Sequence, residues 1–158
     1  MGSGKTTLGK ALAKALDYNF LDTDMKLEQQ FNCTIRKYFE KHTENEFRDE
    51  ETLLISKFKN INKHVISTGG GMPISNGHPL KSIGFVVYLN ANFKSIYQRV
   101  SKSNNRPLVQ SNTEESLKRL YSKRTPIYTV LADLIINTDN NSISDCVKTI
   151  INNYKESQ

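Results

Sequence analysis

The feature that most constrains this chain lies at its start, where the segment GSGKTT at residues 2–7 runs directly into an apolar stripe. Leu8, Leu12 and Leu16 recur every four residues, which places them on one face of a helix. Glycines let backbone N–H groups approach a ligand closely, and a lysine and a threonine where a helix begins suit phosphate oxygens and Mg²⁺. The pattern predicts a phosphate-binding loop, with a chance glycine turn as the alternative.

The upstream half of that loop motif is missing from the chain. The full pattern G-x-x-x-x-G-K-[ST] needs a further glycine five residues before Gly4, which lies upstream of Met1. We therefore expect the natural protein to begin about ten residues upstream, with a buried apolar strand that ends in this glycine. Without that strand we expect the chain to be aggregation-prone and poorly active.

Short apolar segments that can form strands alternate with helical patterns along the rest of the chain. Strands are predicted at residues 20–21, 65–66, 85–89 and 134–136. Thr34 can cap one of the intervening helices, and Thr43 with a glutamate three residues later makes a capping box for another. The alternation predicts an α/β fold of three layers, in which helices cover both faces of a parallel sheet whose first strand is missing. We expect one domain over residues 1–158, with a mobile lid around residues 101–113, which are mostly polar.

Two of the predicted strands end in residues that can bind a ligand. Asp22 and Asp24 follow the first strand with one residue between them, so both carboxylates can face the phosphate-binding edge, one toward a metal's water shell and one toward a substrate hydroxyl. The alternative is a solvated turn in which an aspartate caps a helix. The glycine run at residues 69–71 follows the second strand and allows close backbone approach to a ligand, or else forms a flexible turn.

Three arginines are candidates for binding anions. Arg48 and Arg124 lie in amphipathic helical patterns, where either could hold a carboxylate with two parallel hydrogen bonds. Arg106 lies in the predicted lid and could reach a phosphoryl group during transfer. The alternative for all three is an ordinary solvated surface charge.

Composition limits the class of protein and its partners. Hydrophobic residues make up 37% of the chain and charged residues 24%, and no apolar run approaches the ~20 residues of a membrane helix. Since the N-terminus of this chain also shows no charged-then-apolar signal pattern, we expect a cytoplasmic protein. Cys33 and Cys146 show no metal-binding spacing and no sign of an oxidising compartment. The net charge of +6 favours anionic partners, but the basic and aromatic residues are not interleaved as in nucleic-acid platforms.

Six motifs, taken in order, resemble the shikimate kinases, which are small P-loop enzymes of the nucleoside monophosphate kinase structural class. They are GSGKTT, LDTD, EFRDEE, STGGG, RPLV and KRTPIYTVLAD. The resemblance covers nearly the whole chain. It implies transfer of the ATP γ-phosphoryl group to the 3-hydroxyl of shikimate, with Mg²⁺, in aromatic amino-acid biosynthesis.

The resemblance also implies a role for each candidate residue. The residues that hold ATP are Gly2, Ser3, Gly4, Lys5, Thr6 and Thr7, with Arg99 and the loop from Thr138 to Asn140 beside the adenine and Arg106 in the lid. Thr6 binds Mg²⁺ directly, and Asp22 touches it through water. Lys5, Asp24 and Arg106 are the catalytic residues, of which Asp24 orients or deprotonates the 3-hydroxyl.

The same resemblance implies that Arg48 and Arg124 bind the shikimate carboxylate. Gly70 and Gly71 contribute backbone contacts, and Glu51 braces Arg48. The expected partners are ATP and shikimate, with no nucleic acid and no membrane, and we expect a monomer. Two alternatives remain: a gluconate kinase or another small-metabolite kinase of this fold, and a catalytically impaired module that binds nucleotide or nucleic acid.

Overall fold

The computed structural model describes residues 2–101 and 113–157, in which parallel strands alternate with helices. The elements in chain order are α1 (Lys5–Leu16), β1 (Asn19–Asp22), α2 (Thr23–Phe31), α3 (Ile35–Tyr38), α4 (Glu44–Lys57), a short 3₁₀ helix (Phe58–Asn60), β2 (His64–Ser67), α5 (Met72–Ile83), β3 (Val87–Asn90), α6 (Phe93–Ser101), α7 (Glu114–Leu131), β4 (Leu134–Asn137) and α8 (Ile143–Glu156). The prediction of a parallel α/β fold is confirmed. Most of the predicted lid, including Arg106, lies outside the described residues.

The chain divides into two compact units, Gly9–Gly84 and Met1–Leu8 together with Phe85–Gln158. Each unit contains a two-stranded parallel sheet, β1 with β2 in the first and β3 with β4 in the second. The expectation of a single domain stays a prediction.

In the unit Gly9–Gly84, helices α2, α4 and α5 cover the β1–β2 sheet through a buried apolar cluster. Leu27, Ile55 and Met72 at its centre are at most 1% exposed. The register pairs Asp22 with Ser67, so both strands end at the same edge of this sheet. That edge carries the candidate residues of this unit.

Side-chain caps set where the helices of this unit begin. The Thr43 hydroxyl accepts the N–H of Glu46, and the Glu46 carboxylate accepts the N–H of Thr43, so the predicted capping box of α4 is present. Thr34 caps α3, as predicted. Asn32 ends α2 in the left-handed region at φ 52°, which asparagine tolerates better than most residues.

In the second unit, helices α6, α7 and α8 accompany the β3–β4 sheet, with Val100, Leu117 and Ile150 buried. Thr113 and Ser142 cap α7 and α8 with their hydroxyls. The strand predicted at residues 85–89 begins only at Val87. The N–H of Val86, just before it, donates to the Asp133 carboxylate at 2.8 Å. Leu89 is buried, but the other residues of β3 are half-buried, so this strand is less covered than its apolar sequence indicates.

Candidate active site

Backbone geometry accounts for the glycines of the predicted phosphate loop. Gly2 and Gly4 have φ values of 68° and 86°, a region that side chains with a Cβ rarely adopt. At Gly2 a Cβ would also stand 2.8 Å from the Cγ2 atom of Val100. The chain then enters α1 at Lys5 without an intervening residue, so Lys5, Thr6 and Thr7 lie in the first helical turn.

That first turn suits a phosphate group. The first amides of any helix have no partner within the helix, and the helix dipole makes this end positive. The first turn of α1 contains no acidic residue that would offset this charge. Threonine hydroxyl and carboxylate oxygens are ligands that Mg²⁺ accepts alongside phosphate oxygens. Residues 2–7 therefore suit the phosphates of a nucleoside triphosphate, and the Thr6 hydroxyl suits the Mg²⁺ ion that accompanies them.

The β1–β2 edge differs from the alternative interpretation in one respect. Oδ1 of Asp22 accepts the N–H groups of Asp24 at 3.1 Å and Met25 at 3.4 Å, and α2 begins at Thr23. The solvated turn of the alternative interpretation is absent here, because the Asp22 carboxylate satisfies the first amides and lets the helix start at once. The capping aspartate of that interpretation is present, and Asp24 lies in the first turn of α2.

Asp24 lies against the glycine run that follows β2. A Cβ on Gly69 would collide with Oδ1 of Asp24 and would stand 3.2 Å from its Cγ. The fully buried Thr23 fixes this approach, because its hydroxyl accepts the N–H of Gly69 at 2.9 Å. The carboxylate thus rests directly on the backbone of Gly69.

Arg48 lies on the same glycine run, two residues further along. A Cβ on Gly71 would stand 2.5 Å from both terminal nitrogens of Arg48. Nη1 of Arg48 donates to Glu51 at 2.6 Å, and Nη2 donates to Glu44 at 2.8 Å. Since the Glu51 side chain is 1% exposed, this ion pair fixes the guanidinium firmly, in the way the resemblance implies.

The charge of Arg48 is secure at any physiological pH. Burial acts to lower the pKa of Arg48, but the hydrogen bonds and charges of Glu51 and Glu44 outweigh it and leave that pKa above its ordinary value. The Cα atoms of Gly69 and Gly71 are at most roughly 7 Å apart, given the reach of two residues. The Asp24 carboxylate and the Arg48 guanidinium therefore lie along the same short stretch of backbone, close enough for one small metabolite to contact both.

Arg99 lies beside the phosphate loop in the second unit. Its Nη1 donates to the carbonyl of Gly2 at 3.4 Å and its Nη2 to the carbonyl of Thr138 at 3.3 Å. Asp139 pairs with the same guanidinium at 3.5 Å. The structure therefore brings together Arg99, the start of the phosphate loop and the loop after β4.

Sequence reasoning missed three contacts of these sites. Glu44 stands four residues before Arg48 in a helix, a spacing that signals an ion pair. The Thr23–Gly69 bond joins residues distant in the chain. The resemblance places the loop from Thr138 to Asn140 beside the adenine, but it does not predict the ion pair between its Asp139 and Arg99. Arg124 lies half-buried on α7, in the unit that also holds Arg99. Its assignment to the carboxylate stays a prediction.

Comparison with known proteins gives consistent matches over the chain. The family model for shikimate kinase matches residues 1–155. A shikimate kinase of Clostridium botulinum (strain Langeland) is 38% identical over 158 residues, which cover 98% of this chain and 91% of that protein. A shikimate kinase of Hahella chejuensis is 40% identical over 161 residues, covering 100% and 84% of the two chains.

Solved structures agree with the sequence matches. The structure of the Acinetobacter baumannii shikimate kinase in complex with shikimate matches with a TM-score of 0.89 and 35% identity, over 100% of this chain and 90% of that one. The Bacteroides thetaiotaomicron shikimate kinase matches with a TM-score of 0.87 and 32% identity, over 96% and 92%. With its P-loop kinase fold and matches along its whole length, the chain belongs to the shikimate kinase family.

Proposed function

We propose that this chain transfers the γ-phosphoryl group of ATP to the 3-hydroxyl of shikimate. The observation that carries the proposal is the placement of Asp24 on Gly69 and of Arg48 on Gly71. A base, Asp24, and a fixed cation, Arg48, on the same glycine run suit an acceptor that has both a hydroxyl and a carboxylate. Shikimate has this combination.

On the acceptor side, Arg48 binds the carboxylate and Asp24 acts on the hydroxyl. The guanidinium presents a planar pair of donors that matches the two oxygens of a carboxylate. Asp24 orients the 3-hydroxyl and takes its proton as the hydroxyl oxygen bonds to the γ-phosphorus and the bond to the ADP oxygen breaks. Gly70 and Gly71 present backbone rather than side chains to the ring. Arg124 is the second proposed carboxylate ligand.

On the nucleotide side, the loop and first turn of α1 hold the phosphates. The residues proposed to do so are Gly2, Ser3, Gly4, Lys5, Thr6 and Thr7. Lys5 neutralises charge on the transferring group, as Arg106 does from the predicted lid. When bound, Mg²⁺ adds charge neutralisation, held by Thr6 and, through water, by Asp22. Arg99 flanks the adenine.

The remaining partner predictions also belong to this proposal. We expect a monomer that acts on small molecules in the cytoplasm and binds no nucleic acid. The part of the chain that the structure describes contains no helix long and apolar enough to cross a membrane. The basic charge matches two anionic substrates.

The test is ATP consumption with shikimate and with gluconate side by side. Gluconate is also a carboxylated polyol but has no ring. It therefore tests whether a site that contains Asp24 and Arg48 distinguishes the cyclic shikimate from an open-chain acceptor. We expect ATP consumption to depend on shikimate and the product to carry the phosphate at the 3-position. Turnover with gluconate and none with shikimate would overturn the proposal.

We predict that Asp24→Asn lowers kcat on the order of a hundredfold, as loss of a general base commonly does. Asp24 is not the cap of α2, which is Asp22, so we expect the melting temperature and ADP affinity to stay near those of the parent chain. Steady-state kinetics and calorimetry measure the three quantities. Asp49→Asn, an exposed site on α4 with the same change of charge, serves as the control. Turnover of the parent level in Asp24→Asn would remove Asp24 from the reaction.

A further inference from the structure

Asp139 is tied to several elements of the second unit at once. Its Oδ2 atom accepts two hydrogen bonds from Asn92, from the backbone N–H at 2.7 Å and from Nδ2 at 2.9 Å. Its Oδ1 atom lies 3.5 Å from Nη2 of Arg99. The side chain is 11% exposed. A nearly buried carboxylate thus connects the loop after β4 to the residue before α6 and to Arg99 within α6.

Asn92 is itself the cap of α6. Its Oδ1 atom accepts the N–H of Ser95 at 2.9 Å, and its carbonyl accepts the N–H of Ile96 at 3.1 Å. Asp139 therefore holds α6 near both ends, at the first turn through Asn92 and at the last turn through Arg99. Side chains of a helix lean toward its N-terminus, which lets Arg99 reach back to the same carboxylate.

The contacts of Arg99 use the edge of its guanidinium. The edge donates to the carbonyls of Gly2 and Thr138 and faces Asp139, at distances between 3.3 and 3.5 Å. The side chain as a whole remains 40% exposed. A guanidinium held by its edge keeps its face available, and that face stacks well on a planar ring.

The charge of Asp139 is maintained at neutral pH. Burial acts to raise the pKa of Asp139, but the hydrogen bonds from Asn92 and Ser95 and the charge of Arg99 outweigh it and leave that pKa below its ordinary value. The Asp139 carboxylate is therefore ionised at neutral pH and can attract the Arg99 guanidinium.

We propose that Asp139 is a positioning residue for the nucleotide base: it orients the guanidinium of Arg99 and the 138–140 loop against which the base of ATP lies. The inference rests on the proposed function only in placing the base beside Arg99. The base lies against the loop that carries Asp139, whereas the Asp139 carboxylate itself acts through Arg99 and Asn92.

The first experiment measures ADP binding by calorimetry, without shikimate, in Asp139→Asn. This variant keeps the size of the side chain and removes the charge that attracts Arg99. We expect the Kd for ADP to rise about tenfold, equivalent to ~1.4 kcal/mol, while the Kd for inorganic triphosphate, which has no base, stays unchanged. In kinetics, KM for ATP should rise while kcat at saturating ATP and KM for shikimate stay within about twofold.

Two further variants test whether the effect passes through Arg99. In an Arg99→Ala background, Asp139→Asn should weaken ADP binding by no more than about twofold, because coupled neighbours are not additive. Asp139→Glu keeps the charge and should lose less ADP affinity than Asp139→Asn, which keeps the test decisive if Asp139→Asn fails to fold. Asp145→Asn is the matched control, since Asp145 accepts a hydrogen bond from Ser142 at the start of α8 and has no proposed part in nucleotide binding.

The outcomes separate this inference from the proposed function. An unchanged Kd for ADP in Asp139→Asn, an equal loss for triphosphate, or fully additive losses with Arg99→Ala would each overturn the positioning role. A parent chain that binds ADP in the expected pattern but consumes no ATP with shikimate would overturn the proposed function and leave the role of Asp139 standing.

Discussion

Gly69 and Gly71 differ from the glycines of the phosphate loop in why they are required. Gly2 and Gly4 occupy the left-handed region, so their need for glycine comes from the backbone. At Gly69 and Gly71 an added Cβ would meet the ends of the Asp24 and Arg48 side chains. At Gly71 the displaced group would be the Arg48 guanidinium, whose ion pair with the buried Glu51 would be strained. A substitution here therefore displaces site residues at some cost in stability.

We predict that Gly71→Ala raises KM for shikimate about tenfold, because the methyl group pushes the Arg48 guanidinium off its position. The melting temperature should fall, because the displaced guanidinium strains its ion pair with the buried Glu51, while the ADP affinity should stay near that of the parent chain. Kinetics with varied shikimate and a thermal melt test this. Gly84→Ala is the matched control, since a Cβ there meets nothing within 4 Å. A lowered melting temperature with an unchanged KM would show that Gly71 serves folding instead.

Sequence reasoning reaches the residues of the site more easily than their contacts. Three glycines after an apolar strand indicate close approach of something to the backbone, and the structure shows that Asp24 and Arg48 are what approaches. The chain brings these side chains to the run from separate helices, through pairing and packing that no local spacing encodes. Glu51 is similar, because its burial follows from the tertiary fold.

Among the elements, α4 deserves a test because it carries Arg48. The N–H of Thr43 and its hydroxyl, together with His42, hold the pKa of Glu46 below its ordinary value. A carboxyl whose pKa is lower in the folded than in the unfolded chain stabilises the fold above the unfolded pKa and loses that effect as pH falls through the folded one.

We therefore predict that Glu46→Gln is slightly less stable than the parent chain at pH 7. The difference should shrink as the pH falls below the ordinary glutamate pKa and disappear once the pH is below the lowered pKa of Glu46. Urea unfolding of both chains across this pH range measures the difference. Glu115→Gln is the control, because Glu115 is exposed on α7 and pairs with the similarly exposed Arg119 one turn away. A difference between the Glu46→Gln and parent chains that does not shrink as the pH falls through the acid range would contradict the charge-based account.

The elements show where local patterns suffice. Caps at Thr34 and Thr43 and the four strands follow from short spacings, and the structure contains all of them. Helix α5 is different, because its sequence contains Pro73, Gly77 and Pro79 and its backbone kinks at Asn76. Buried Met72 and Leu80 hold it against the core, so tertiary packing overrides weak helix propensity there.

At the scale of the whole molecule, the candidate residues are distributed between the two units. Residues 2–7 and Arg99 belong to one unit, while Asp24, Arg48 and the glycine run belong to the other. The sign of the net charge indicates anionic partners, but charge alone does not reveal which residues serve which anion. Arg124, the second proposed carboxylate ligand, also lies in the unit of residues 2–7. For the other candidates the proposed roles follow the division, so we expect Lys5 and Arg48 to serve different ligands.

We predict that Lys5→Ala weakens ADP binding by at least about tenfold while changing shikimate affinity, measured without nucleotide, by less than about twofold. Arg48→Lys should do the reverse, because it keeps the charge but loses the two-pronged geometry that grips a carboxylate. Calorimetry is the suitable method, since the chain has no tryptophan to report binding by fluorescence. Lys14→Ala, an exposed position on the same helix as Lys5, controls for the loss of charge. If either Lys5→Ala or Arg48→Lys weakened both ligands equally, the two affinities would share residues and the assignment by unit would be wrong.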